Sequence, residues 1–288
     1  ASGVPVEPPV VTPISLAEAY AVLSREPHRP IAGGTDLMVQ VTGELGEPPE
    51  RVIDIWRLDE LRGIALEGGG EALVIGALTT YTELRRSALV SEHVPALGEA
   101  AATIGAAQIQ NRGTLGGNIV NASPAGDMLP VLLVADAGIV LGSQRGERTV
   151  AAAEFWTAYR RTARADDELV LRVRLPLLPR RTIRFRKVGT RRAQAISKVV
   201  MALAYREDAG VWRDVRVALG SVAERPIRAR ETEAVLEGAA ARQTSADHAA
   251  ATLAREISPI DDVRSTADYR RAVAARILHR MLREAGGW

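Results

Sequence analysis

Apolar residues recur at helical spacing in some stretches of the chain and at strand spacing in others. Leu16, Ala19, Tyr20 and Leu23 fall one turn apart, and Ser15-Leu16-Ala17-Glu18 fits a capping box, so a first amphipathic helix is predicted to end near Ser24. The proline-rich residues 1–13 before it read as an extended lead-in. Short apolar runs at 29–32, 52–55, 64–66 and 73–75 read as strands, with Gly68-Gly69-Gly70 turning the chain between the last two. A helix is predicted to begin over 80–84 and another to span 96–103, followed by an apolar helix at 129–135 and a strand at 138–141. In 169–175 the pattern alternates, which puts Arg172 and Arg174 on one face and Leu171, Val173 and Leu175 on the other. Residues 176–181, rich in proline and arginine, mark a boundary. Beyond it come strands at 182–188, 198–205 and 211–219, then helices at 231–236 (closed by Gly238), 247–256 and 268–283. The last helix carries Tyr269, Val273, Ile277 and Met281 along one stripe. The class this predicts is α+β, ending in a small antiparallel sheet followed by a helical bundle.

Composition narrows the function. A chain of 288 residues with 47% hydrophobic residues can bury a full core, and its length fits two domains or subdomains. A net charge of +2 gives no footprint for nucleic acid and no polybasic membrane patch. The absence of cysteine removes disulfides, thiolate zinc sites, cysteine nucleophiles and cysteine-held iron–sulfur clusters from this polypeptide. His28, His93, His248 and His279 are scattered, so no protein-held metal is expected. No basic region followed by an apolar core opens the chain and no run of eighteen apolar residues occurs, so a soluble cytoplasmic protein is expected.

Candidate chemistry concentrates in residues 103–136. Gly113, Gly116, Gly117 and Gly126 stand among Thr114, Asn118, Asn121, Ser123 and Asp127, between two apolar runs. Glycines admit positive φ and let main-chain amides approach a ligand oxygen, and neutral donors beside them suit a diphosphate or a ribose. Asp127 falls in a capping position ahead of the run opened by Pro130, which would aim a helix start back at the glycines. A glycine-rich hairpin turn with incidental Asn and Ser is the competing reading. Gly33-Gly34, after the strand at 29–32, is a second candidate anion loop or a simple turn. Neither loop fits the G-x-G-x-x-G pattern, and no P-loop glycine-lysine step exists, which disfavours a Rossmann fold and a nucleoside triphosphatase. The only lysines, Lys187 and Lys198, flank a polar stretch at 189–194 that reads as a loop near a site; chance clustering explains them about as well.

Ala32-Gly33-Gly34-Thr35-Asp36-Leu37 and Arg112-Gly113-Thr114-Leu115-Gly116-Gly117-Asn118-Ile119, continued by Ala122-Ser123-Pro124 and Asp127, resemble the two flavin-diphosphate motifs of the medium, FAD-binding subunit of molybdenum hydroxylases of the xanthine dehydrogenase and carbon monoxide dehydrogenase type. Val217-Ala218-Leu219-Gly220-Ser221-Val222-Ala223, Pro226-Ile227-Arg228-Ala229 and Tyr269-Arg270-Arg271 resemble that family's C-terminal domain. The resemblance implies a two-lobed, vanillyl-alcohol-oxidase-like (PCMH-type) FAD domain at 1–177, with lobes at about 1–55 and 56–177, and a C-terminal domain at 178–288. It places Ile31, Ala32, Gly33, Gly34, Thr35, Asp36 and Leu37 along the pyrophosphate and ribityl region. Thr114, Gly116, Gly117 and Asn118 would hold the diphosphate from the other side, with Asn121, Ser123 and Asp127 completing that wall. Asp127 would serve through backbone amides or a ribose hydroxyl. Ile104, Val170 and Lys187 match positions near the isoalloxazine ring, where Lys187 would stabilise negative charge on reduced flavin. The two glycine pairs are expected to meet and grip one diphosphate between exposed amides. No catalytic acid or base is implied in this chain. The implied function is electron transfer: from two-iron two-sulfur clusters of a small subunit, fed by a molybdenum–pterin large subunit, through FAD to NAD or another acceptor, in what would be a dimer of heterotrimers. The alternatives are a self-sufficient flavin oxidoreductase of the same fold and a non-enzymatic nucleotide-binding or assembly subunit whose flavin site has decayed.

Overall fold

A computed structural model describes residues 8–33, 51–105, 107–121, 126–190, 197–258 and 266–288. The lead-in contributes β1 (Val10–Val11), and after α1 (Leu16–Arg25) come β2 (Arg29–Ile31) and β3 (Val52–Asp54). These three strands form a parallel sheet with β3 in the centre. Helix α1 starts where the capping signal places it: the Ser15 hydroxyl accepts the Glu18 amide, and the Glu18 carboxylate accepts the Ile14 amide, one residue earlier than a strict box.

The next segment runs β4 (Ile64–Glu67), β5 (Ala72–Gly76), α2 (Tyr81–Arg86), α3 (Ala88–His93), α4 (Pro95–Ala102), α5 (Ala107–Arg112), α6 (Leu115–Asn121) and α7 (Leu129–Val134). It continues through β6 (Gly138–Ser143), β7 (Gly146–Ala151), α8 (Ala152–Phe155), the hairpin β8 (Trp156–Ala158) and β9 (Arg161–Thr162), and β10 (Leu169–Pro176). The main sheet here is antiparallel in the order β4-β5-β10-β6-β7. Strand β10 does not alternate as the sequence predicts. Its pairing with β6 passes from Val170 to Arg172, leaving Leu171 as the extra residue of a bulge. Leu169 and Leu171 therefore pack toward α1, while Val170, Val173 and Leu175 join the main core.

The last segment folds as β11 (Thr182–Thr190), β12 (Ser197–Asp208), β13 (Val211–Gly220) and β14 (Ile227–Arg228), antiparallel in that order, followed by α9 (Arg230–Leu236), α10 (Gln243–Glu256) and α11 (Ala267–Gly286). Period-two patterning decides which face of β12 meets which partner. Val199, Met201, Leu203 and Tyr205 pack with the three helices. Ala202 and Ala204, with Ala218 of β13, point the other way into the main core. Those small side chains let α7, all six of whose residues are buried, lie close against the sheet. The two largest cores thus touch opposite faces of one sheet. The stripe on α11 begins later than expected: Tyr269 is 40% exposed, and Arg270 takes the buried place at 5%. Among the described residues no helix is long and apolar enough to cross a membrane.

Candidate functional site

A cavity of about 590 Å³ opens where β2, the end of β5, α6, the β8–β9 hairpin and the start of β10 converge. Strand β2 supplies Arg29, Pro30 and Ile31 and runs on to Ala32; the chain leaving β5 supplies Ala77 and Leu78; the bulged β10 supplies Leu169 and Val170. Helix α6 and the residue before it supply Thr114, Gly116, Gly117, Val120 and Asn121.

The position of α6 follows from close backbone contacts. The Leu115 amide donates to the Thr79 carbonyl at 3.0 Å and the Gly116 amide to the Ala77 carbonyl at 2.8 Å. A Cβ on Gly116 would stand 2.9 Å from both the Ala77 Cβ and the Ala77 carbonyl oxygen, so only glycine allows this approach. From the far side, the Trp156 indole N–H donates to the Ile119 carbonyl at 3.0 Å.

This geometry corrects the expected glycine loop. Gly116 and Gly117 belong to a helix, not to a turn of positive φ. Their amides are already engaged, that of Gly116 by Ala77 and that of Gly117 by the Thr114 hydroxyl at 3.0 Å. The glycines bring the helix in and remove bulk from the cavity wall; they do not offer bare N–H groups.

Gly33, with φ of 74°, lies beside the Trp56 ring, with the Arg112 guanidinium 3.6 Å from where its Cβ would be. Ile31, Ala32, Thr114, Gly116, Gly117, Asn121 and Val170 are thus gathered round one cavity, with Gly33 at the end of the same strand. Asn118 does not line it, but its side-chain oxygen is buried without a hydrogen-bond partner. Gly34, Thr35, Asp36, Leu37 and Ser123 lie outside the described residues, as does most of the predicted loop at 189–194.

Asp127 and Lys187 form a separate group with Thr103, the residue before Ile104. Lys187 Nζ, reaching from β11, donates to Asp127 Oδ2 at 2.7 Å and to the Thr103 carbonyl at 3.0 Å, and the Thr103 hydroxyl donates to the same carboxylate oxygen at 3.1 Å. Asp127 therefore does not cap α7, whose N-cap is Met128 with no side-chain bond. A lysine sixty residues away in sequence has claimed the carboxylate.

Sequence reasoning missed the cationic side of the cavity, Arg29, Arg160, Arg161 and Arg164. Arg164 stands on a braced loop. Its Nη1 donates to the Ala165 carbonyl at 3.1 Å and to the Glu168 carbonyl at 2.8 Å. Arg148 grips the Glu168 carboxylate with two hydrogen bonds and also donates to the Ala163 carbonyl, and Arg145 grips Asp167 in the same two-pronged way. Burial lowers the pKa of Arg164 from its ordinary value, opposed in part by Asp166. The signal for this wall was the run 160–164, which carries three arginines.

The brace has a pH dependence of definite sign. The Arg148 hydrogen bond holds the Glu168 carboxyl below its ordinary range, and that of Arg145 does the same for Asp167. Depressed folded-state values stabilise the fold above the unfolded-state pKa of about 4, and that contribution disappears as pH falls through the lower folded values. Melting temperature measured from pH 7 down to 3 should fall on the acid side less steeply in Glu168→Gln than in the parent. Equal acid slopes would remove Glu168 from the brace.

Among the described residues no carboxylate lines the cavity. Its volume lies in the range of small-molecule and cofactor sites, and its wall joins neutral donors and small residues to guanidinium groups. Such a wall suits a long ligand with an anionic middle. Residues 5–178 match the family model for the FAD-binding domain in molybdopterin dehydrogenase, and residues 184–285 match that for the carbon monoxide dehydrogenase flavoprotein C-terminal domain. The chain is 33% identical to the glyceraldehyde dehydrogenase medium chain of Sulfolobus acidocaldarius, over 94% of this chain and 95% of that one. It is 30% identical to the xanthine dehydrogenase FAD-binding subunit of Escherichia coli, over 94% and 93%. Among solved structures, reconstituted carbon monoxide dehydrogenase from Oligotropha carboxidovorans superposes with a TM-score of 0.90 at 30% identity, covering 99% of each chain.

Proposed function

We propose, from the premise that the chain belongs to the FAD-binding subunits of the molybdopterin dehydrogenase family, that the cavity and the Lys187 group are two ends of one FAD site. The chain is an FAD-dependent oxidoreductase subunit with a flavin domain and a C-terminal domain, mixed α and β throughout; the division is put at residues 177 and 178. The observation that supports the reading is that Ile31 and Ala32 on one side and Thr114, Gly116, Gly117 and Asn121 on the other line one cavity with no carboxylate among the described residues.

The residues present fit the cofactor. Gly116 lets the helix close on Ala77, and Gly117 lines the cavity without a side chain. The unpartnered side-chain oxygen of Asn118 is a buried polar atom awaiting a donor. Ile31, Ala32 and Gly33, with residues 34–37, would run along the pyrophosphate and ribityl chain; Thr114, Gly116, Gly117, Asn118, Asn121 and Ser123 would face them. Val170, which lines the cavity, would sit in the nucleotide half and not beside the isoalloxazine ring expected for it. Ile104 and Lys187 would border the ring system, with Asp127 setting the position of the Lys187 ammonium. FAD, when bound, supplies exchange between two-electron and one-electron carriers; the protein's part is to bind, orient and tune it.

Within a complex, the chain would take electrons from two-iron two-sulfur clusters of a small partner subunit, beside a large molybdenum–pterin subunit, and deliver them to NAD or another acceptor. With no cysteine of its own, it depends on partners for such clusters. Purification from the native host should yield a yellow-brown complex whose absorbance and metal content report flavin, iron and molybdenum together with two further subunits. A colourless chain that co-purifies with nothing would refute the proposal.

A further inference from the structure

We infer that Arg164 anchors the diphosphate of the bound dinucleotide, and that the loop 163–168 exists to hold its guanidinium in the cavity. The inference rests on the FAD reading above and adds to it a residue that neither glycine motif contains.

Of the three arginines that the run 160–164 brings to the cavity wall, Arg164 is set apart by its surroundings. Arg160 and Arg161 are exposed at the hairpin, and the Arg160 guanidinium bonds the neighbouring Tyr159 hydroxyl at 3.0 Å. Water and salt screen charges placed there. Arg164 is partly withdrawn from water; Asp166, Glu168 and Asp167 act on it electrostatically, but among the described residues no carboxylate lies within ion-pair distance, and its hydrogen-bond partners are two main-chain carbonyls, both reached through Nη1. Nε and Nη2 of the fork remain for a ligand. A guanidinium taken out of water without a counter-ion is costly unless something anionic joins it. The diphosphate is the anionic part of FAD, and its geometry matches a planar fork.

The loop supports this assignment. Two bidentate arginine–carboxylate pairs, Arg148 with Glu168 and Arg145 with Asp167, hold a stretch of six residues whose single cavity-lining side chain is that of Arg164. The Ala165 amide donates to Glu168 Oε1 at 2.9 Å and the Ala163 amide to the Phe155 carbonyl at 2.8 Å, which close it further. A contact held this rigidly loses little freedom when ligand arrives.

The test uses the full chain freed of flavin, with adenosine, AMP and ADP as probes in titration calorimetry, and FAD by fluorescence quenching. The wild-type chain is expected to bind ADP more tightly than adenosine and to keep that preference in 0.5 M NaCl, since a desolvated contact escapes screening. Arg164→Gln should weaken ADP and FAD by about 10- to 100-fold while leaving adenosine within about twofold, and Arg164→Lys should fall between. An unchanged ratio of ADP to adenosine affinity in Arg164→Gln, or equal losses for both, overturns the inference while the FAD site stands. A wild-type preference that vanishes in salt overturns it too, without recourse to a variant, by assigning the contact to Arg160 and Arg161. Failure of the wild-type chain to bind FAD at all overturns both readings together.

Discussion

Replacing Gly116 with valine is expected to disrupt the fold, whereas the same change at Gly117 should leave the fold and empty the site. The neighbours look alike in sequence, and both are helical. The Cβ of residue 116 would meet the Ala77 carbonyl oxygen and Cβ at 2.9 Å, inside any real contact distance, and the Ala77 backbone is held just beyond β5 by a hydrogen bond from its amide to the Leu171 carbonyl. Neither side can yield cheaply. Overpacking against backbone costs about 3 kcal/mol, which for a chain of this size corresponds to a fall of about 6–12 °C in Tm. Gly117 lines the cavity, and a branched side chain there is expected to take up ligand space. Calorimetric melting and the ratio of flavin to protein absorbance should separate the two: a large loss of Tm for Gly116→Val, and near-parent Tm with little flavin for Gly117→Val. Full flavin content in Gly117→Val would dismiss the proposed cradle.

Lys187→Ala should be the most damaging change in the C-terminal segment that touches no core side chain. Asp127 is 2% exposed, and Lys187 brings it a charge from across the two cores. Removing the lysine leaves a carboxylate held away from water without its ammonium partner, a loss of about 3–5 kcal/mol for buried pairs and so about 6–20 °C in Tm. Asp127→Ala should cost less, because the lysine side chain keeps about a quarter of its surface in solvent and can turn outward. The double variant should therefore recover stability relative to Lys187→Ala. If the two effects simply add, the residues are not coupled and the pair is incidental.

The parts of the fold that could be read from the chain are those where local pattern and tertiary environment agree. Strands β11 to β13 emerged because each meets different partners on its two faces, and α1 because its cap lies in four consecutive residues. Helix α6 could not be read. Leu115-Gly116-Gly117-Asn118 has the helix propensity of a loop, and what makes it helical is the docking of Gly116 on Ala77, a contact visible only in three dimensions. Leu171 was misassigned for a similar reason, since nothing in an alternating strand announces a bulge. Ala32 of the first motif and Gly116 and Gly117 of the second line one cavity, but at Gly116 and Gly117 the expected bare amides of a turn are engaged amides of a helix. Arg164 was overlooked because one arginine among many carries no mark of its burial. Asp127 was taken for a cap because its true partner lies too far along the chain for any window to find.

Helix α7 has no polar side at all. Cutting the chain near residue 180 to obtain the flavin half alone would leave that helix with a bare greasy flank, and the severed sheet with a matching row of alanines turned to solvent. Neither piece should remain dispersed by itself. Engineering that seeks to exchange the C-terminal segment between relatives must carry α7 with it, or redesign the helix and the alanine face as a matched set.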